Sequence, residues 1–287
     1  MGDAHQIIRT FHSTCMVSDY DAAIRDLAGV AGLRVLEYGE NQDIGRRGGM
    51  TWIGDNSIEV AQPIVDGHAA DRFVRRVGPG MHSYALQVAD LDVTLARLQT
   101  GGVTVGVRPA EGFCFTDPRT SGGLLFEWSN FTVEEDPRIG APYPDYRGTP
   151  VLDVRTHAFV GAVHPEPLQW ADTFGPLFGL EEAFRDEGAT AGDPVVGLAA
   201  PDCVIALYRL DPAVSSELWG QDHTRARFHV LGLGVDDLDE AHWALEANGI
   251  GEIRRTDGQI VLDPAATGEV PVVLVANLHP GDPLLGS

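Results

Sequence analysis

The chain has 287 residues and a formal net charge of −22, an acidity that repels phosphate backbones and anionic lipid, so neither nucleic acid nor a membrane surface is an expected partner. All 20 basic residues are arginine, which excludes Schiff-base lysines and the P-loop lysine. There is no Gly-x-Ser-x-Gly elbow and no Gly-x-Gly-x-x-Gly opening a helix, so hydrolase and dinucleotide chemistry have no foothold. Cys15, Cys114 and Cys203 are widely spaced and odd in number, which suits neither a disulfide framework nor a Cys-rich zinc site. With no signal-peptide pattern and no apolar run of membrane length, a cytoplasmic protein is expected.

In chain order, residues 11–33 read as a strand, a cap at Ser18 and Asp19, an amphipathic helix and a stop at Gly32. The runs RVLEY, GGMTWI and SIEVAQ follow as strands, separated by the turns NQD and GDN. Residues 81–103 repeat the strand, cap, helix and glycine, and VTV, GFCFT and LLFEWS come next. Residues 132–150 are rich in proline, glycine and charge and read as a linker. A further copy starts at Thr156, looser by two residues, with VVGLAA and CVIALYRL as its clearest later strands. Residues 228–250 open the last copy, continued by IGEIRR, QIVLD and VPVVLVANL. His12 to Gly32, His82 to Gly102 and His229 to Gly249 are each 20 positions apart. The predicted architecture is therefore α+β: four βαβββ units forming two domains with curved mixed sheets, at 1–132 and 150–280, with 133–149 between them. Trp52, Trp128, Trp170 and Trp243 read as core.

Strand alternation places Thr10, His12, Thr14 and Met16 on one face of the first strand, with Phe11, Cys15 and Val17 on the face that packs on the helix. Glu59 and Glu127 are carboxylates inside otherwise apolar strands. A buried carboxylate needs a partner, and a metal ion would serve both. His157 and His229 invite a second site, but the positions matching Glu59 and Glu127 fall near Tyr208 and at Val273–Leu274. With no carboxylate there, the second half reads as metal-free.

The run FTDPRTSGGLLFEW, which carries Glu127, resembles the last hairpin of glyoxalase and epimerase members of the vicinal oxygen chelate superfamily. IEVAQP, with Glu59, is similar to the last strand of their first unit, and VSDYDAAI and VADLDVTL resemble their strand-to-helix joints. His12 stands five before Val17, as the family's first ligand does. His82 stands six before Val88, and the strictly aligned residue is Ser83; Gly80 offers room for a bulge that would turn His82 inward. The resemblance implies one divalent ion (Zn, Ni, Co, Mn or Fe) on His12, Glu59, His82 and Glu127, with Glu59 or Glu127 as the proton-moving base. It implies a lyase or isomerase that moves a proton next to a carbonyl of a small-molecule substrate, with a homodimer as the oligomer considered. Met16 and Pro63 stand where glutathione-using relatives carry Arg and Asn, which argues against glutathione. The alternatives are an Fe(II) extradiol-type dioxygenase using His12, His82 and Glu127, and a non-catalytic binding protein of the bleomycin-resistance kind.

Overall fold

The computed structural model describes residues 6–53, 56–110, 112–221 and 223–276, with residues 107–110 as backbone. His5, His279, the turn residues Gly54 and Asp55, and the outer ends of both predicted domain ranges lie outside the described residues. The first unit is β1 (Ile7–Met16), α1 (Tyr20–Ala31), β2 (Leu33–Asn41), β3 (Arg46–Ile53) and β4 (Asn56–Pro63). After a connecting helix, α2 (Ala69–Val77), the second is β5 (Gly80–Val88), α3 (Leu91–Thr100), β6 (Val105–Ala110), β7 (Phe113–Thr116) and β8 (Phe126–Ser129). A short strand in the linker, β9 (Tyr146–Arg147), precedes the third unit: β10 (Thr156–His164), α4 (Pro167–Phe178), β11 (Glu181–Arg185), β12 (Pro194–Ala200) and β13 (Cys203–Arg209). The helix α5 (Ser215–Trp219) leads to the fourth: β14 (Arg227–Gly234), α6 (Leu238–Ala247), β15 (Glu252–Arg255), β16 (Gln259–Leu262) and β17 (Val272–Val275). The four βαβββ units are as expected; α2, α5 and β9 are additions.

The recurring aspartates start the helices. Asp19 accepts the Ala22 N–H and Asp90 the Val93 N–H, both at 3.0 Å, and Asp237 accepts from Asp239 and Glu240. Each fills an orphan donor of the first turn. Gly32 closes α1 with a φ of +68° while its N–H reaches the Ala28 carbonyl, a backbone position that favours glycine. In α6 the buried face is Leu238, Ala241 and Leu245. Trp243 falls opposite and is 62% exposed, so its expected place in the core is corrected by helical spacing. Trp52, Trp128 and Trp170 are buried.

Two mixed sheets result. Their orders are β6-β7-β8-β5-β1-β4-β3-β2-β9 and β11-β12-β13-β10-β14-β17-β16-β15. In each, two units join through an antiparallel pair, β1 with β5 and β10 with β14, while β1–β4, β5–β8, β10–β13 and β14–β17 run parallel. One apolar core takes in residues from α1, α3, α4 and α6 and from both sheets. Phe126 of the first half lies 6.0 Å from Trp170, 4.9 Å from Phe178 and 5.2 Å from Phe228 of the second, centroid to centroid. Such aromatic burial ties the halves together.

Two bulges set the site. Thr10 pairs with Leu86 but His12 with Ala85, so Phe11 is the extra residue of β1. The pairing shifts back between Thr14–Ser83 and Cys15–Met81, which makes His82 the extra residue of β5. A bulge turns neighbouring side chains toward one face. Phe11 accordingly lies against His12, with ring centroids 4.8 Å apart, and Thr10 Oγ1 meets Tyr84 Oη of the core at 2.6 Å. The simple alternation expected for Thr10 and Phe11 is therefore reversed.

The second sheet carries the same two bulges, at Ala158 and His229. This register matches His12 with Phe159, Glu59 with Ala206 and Glu127 with Val273. His157 thus corresponds to Thr10, and the Glu59 counterpart lies two residues before Tyr208. Phe159, Ala206 and Val273 belong to an apolar cluster with Tyr208 and Trp219, whose rings lie 5.2 and 4.5 Å from His229.

Candidate functional site

β1 is the central strand of the first sheet, with β4 on one side and β5 on the other, and β8 lies beyond β5. Glu59 pairs across from Thr14, and Glu127 across from Ala85, itself the partner of His12. The three side chains meet. His12 Nε2 lies 3.7 Å from Glu59 Oε2 and 3.6 Å from Glu127 Oε2, all buried. These gaps are too long for hydrogen bonds. Both His12 ring nitrogens are buried without a hydrogen-bond partner, a cost native proteins avoid unless something else fills the place.

The two carboxylates differ. Glu59 accepts from Thr14 Oγ1 at 3.1 Å and Tyr38 Oη at 2.8 Å, and Arg46 Nη2 lies 2.9 Å from its Oε1. Burial alone would raise its pKa, but Arg46, His12 and the two hydroxyls outweigh burial and hold it below the usual carboxylate range. No hydrogen bond joins Glu127 to any described residue; its recorded contact is with His12.

Arg46 and Tyr38 were not singled out in the sequence. Tyr38 crosses from β2 over Gly48, where a Cβ would collide with its hydroxyl. The cross-strand register brings Arg46 opposite Pro63, two pairs beyond the Gly48–Ala61 pair on the face that carries Glu59. The glycine pair in RRGG next to a strand carboxylate was the available signal.

His82 projects from its bulge toward a cavity of about 790 Å³, walled by Met16, Arg46, Phe113 and Phe115 among others. Its Nδ1 is 2.9 Å from Ser83 Oγ, and Phe73 stands edge-on at 4.8 Å. Burial, and then Arg46, push its pKa down to about 4, so the ring is neutral. The structure brings His12, Glu59 and Glu127 together; His82 lines the adjoining cavity, with no ion pair to either carboxylate.

Among the described residues no group of three or more His, Cys, Asp or Glu side chains stands at the spacing that would hold a metal ion. Yet ligands held about 2.0–2.2 Å from an ion lie about 3.0–3.4 Å from each other, close to the His12 gaps. An unpartnered imidazole and two carboxylates are donor types that suit such an ion.

Two mixed sheets, each made of paired βαβββ units, with a His–Glu–Glu group on β1, β4 and β8 of the first, define a vicinal-oxygen-chelate protein. The glyoxalase-like domain family profile matches residues 12–200, and the chain belongs to that family. Among solved structures, a triple variant of 4-hydroxymandelate synthase from Streptomyces coelicolor is 14% identical, covering 94% of this chain and 92% of its own, with a TM-score of 0.62. It shares the two-sheet fold. The methylmalonyl-CoA epimerase of Mycobacterium tuberculosis is 26% identical over 45% of this chain and 91% of its own, with a TM-score of 0.39. A Streptomyces coelicolor epimerase variant bound to 2-nitronate-propionyl-CoA gives 24%, 43%, 96% and 0.40 for the same quantities. Among curated proteins no sequence matches this chain. No helix among the described residues is long and apolar enough to cross a membrane.

Proposed function

We propose that the first half, 1–132, is a divalent-metal site and that the protein is an isomerase or lyase moving a proton next to a carbonyl of a small metabolite. The second half, 150–280, is read as metal-free. The observation that carries this is the buried His12 ring, unpartnered at both nitrogens and flanked by two carboxylates at 3.6 and 3.7 Å.

His12, Glu59 and Glu127 would hold the ion, with His82 the donor nearest to joining them. A divalent ion there would polarise a substrate carbonyl and ease removal of the neighbouring proton. Glu127 is the better base. No described residue hydrogen-bonds to its oxygens, whereas Glu59 is fixed as an anion by Thr14, Tyr38 and Arg46. Arg46 sets a fixed positive charge beside the place where negative charge develops on the substrate. Met16, Phe113 and Phe115 give the cavity an apolar wall that keeps water from the reacting carbon.

The test is proton exchange. The metal-loaded protein is incubated in deuterium oxide with a panel of 2-oxo acids, 1,2-dicarbonyls and acyl thioesters. Deuterium next to the carbonyl, read by NMR, supports the assignment. Oxygen uptake with catechols and no exchange would move it to the dioxygenases, and binding without either would make this a sequestering protein.

A further inference from the structure

Arg227, the first residue of β14, is a half-buried cation with no acidic partner among the described residues. Its Nε donates to the Phe228 carbonyl and its Nη2 to the Met81 carbonyl, each at 3.1 Å. Burial, and then the like charge of Arg225, bring its pKa down to about 10, so it keeps its proton at neutral pH. Asp263 and Glu269 share a neighbouring cavity with it, but neither is within ion-pair distance, and the Glu269 carboxylate accepts the Ser18 N–H. In a chain with 42 acidic residues against 20 arginines, a half-buried arginine with no carboxylate partner among the described residues, from which Asp222 is missing, is an anomaly. An unpaired buried charge is costly unless a ligand supplies the opposite one.

The surroundings indicate where that ligand sits. Arg225 and Arg227 line a cavity of about 390 Å³ with Phe73, Met81, His82 and Arg119. His82, Pro118, Arg119 and Leu125 also line the larger cavity that reaches Arg46. The shared lining joins the two cavities, which together run from Arg46, the counter-ion of Glu59, past the His82 bulge, to the start of β14 in the other half. The halves are in close contact there: a Cβ on Gly123 would lie 2.6 Å from Ala226 Cβ.

We propose that the β14 end of this cleft is a phosphate subsite supplied by the second half, and that the substrate carries a phosphate group remote from its reacting carbon. The second clause rests on the reading of the His12–Glu59–Glu127 group as the active centre. Arg119 is already engaged by Asp117, which leaves Arg225 and Arg227 as two cations for one ligand. Two guanidinium groups match a dianion; a monocarboxylate would leave one charge uncompensated. Phosphate recognition also gives the metal-free half a part in catalysis: it selects what the first half transforms.

Isothermal titration of the full chain with inorganic pyrophosphate, at fixed ionic strength, tests the subsite. One site per chain is expected, with affinity lowered about tenfold in Arg225→Gln and in Arg227→Gln, the scale of one charge-assisted hydrogen bond. Arg75→Gln, a surface change on α2, should leave it unchanged. Arg225 is exposed, so Arg225→Gln carries the test if the buried variant fails to fold. Glu127→Gln should keep pyrophosphate binding while losing proton exchange, which separates failure of the subsite from failure of the active centre. No binding, binding indifferent to both arginine variants, or malonate bound as tightly as pyrophosphate would overturn the phosphate assignment.

Discussion

His229 occupies in the second sheet the strand bulge that His82 occupies in the first. Thr14–Ser83 followed by Cys15–Met81 leaves out His82, and Gly161–Val230 followed by Ala162–Phe228 leaves out His229. The equivalence stops there, because Phe159, Ala206 and Val273 stand at the places of His12, Glu59 and Glu127. His229 has His223 beside it, ring centroids 5.3 Å apart, but no carboxylate stands at the matching strand positions, and the donors of the first site are missing. Metal analysis of the purified protein should therefore give close to one divalent ion per chain. His12→Ala should abolish it and His229→Ala should not. Two tightly held equivalents, or full retention in His12→Ala, would contradict the reading.

The unequal hydrogen bonding of the two carboxylates separates their roles. Glu127→Gln removes the base and should lower kcat by about 10²- to 10⁴-fold, the range of a positioned proton-transfer group, with the fold intact. Glu59→Gln instead leaves the Arg46 guanidinium buried without its counter-ion, a loss of about 3–5 kcal/mol, and weakens the metal. Paired urea unfolding and turnover measurements decide between them. If Glu59→Gln keeps full stability and loses turnover while Glu127→Gln keeps it, the roles are exchanged.

The repeat was readable because each unit needs the same local devices: an aspartate cap, an alternating strand and a glycine stop. His12, Glu59 and Glu127 were readable as polar residues on strands that otherwise bury apolar ones. The bulge at Phe11 was not, because an inserted residue shows only when two strands are laid side by side. That bulge moved Thr10 to the core, and its counterpart at Ala158 made His157 the match of Thr10 rather than of His12. Arg46, Tyr38 and Arg227 escaped for a related reason: their partners come from hairpin register or from the other half, which local spacing does not encode.

Stability should fall as pH falls from about 6.5. Burial lowers the pKa of His157 to about 4, burial and then Arg227 lower that of His223 to about 3, and His229 is pushed down by burial, His223 and Arg227. The unfolded chain takes up these protons near its ordinary histidine pKa of about 6.5, while the folded chain refuses them. The unfolded state therefore binds more protons between pH 6.5 and about 4, and stability in that window rises with pH. The cost is on the order of 2 kcal/mol per histidine by pH 5. Urea midpoints at pH 7.5 and pH 5 should differ, and His157→Asn should reduce the slope by about one proton. An unchanged slope in that variant would remove His157 from the account.

Arg138, from the linker, holds the bulge that aims His12. Its side chain and that of Asp136 are only 8% and 7% exposed, and they pair at 2.8 Å. Its Nη1 donates to the Thr10 carbonyl at 2.8 Å and its Nη2 to the Phe11 carbonyl at 2.9 Å; Ser57 Oγ also donates to the latter. The bulge frees these carbonyls from the strand ladder, and they need other donors. Arg138→Met would take the guanidinium from the Thr10 carbonyl, leave the Phe11 carbonyl to Ser57 alone, and leave Asp136 buried as an unpaired anion, a loss of about 3–5 kcal/mol. Arg138→Lys should lie between, since an ammonium cannot span two carbonyls and a carboxylate as the planar fork does. Removing the carboxylate as well, in Arg138→Met with Asp136→Leu, takes away the unpaired charge. The double variant should then lose less than the two single losses summed, by about 1 kcal/mol or more. Metal affinity should fall in Arg138→Met because His12 is no longer held in register. Additive losses in urea unfolding, or unchanged metal affinity in a folded Arg138→Met, would count against this role.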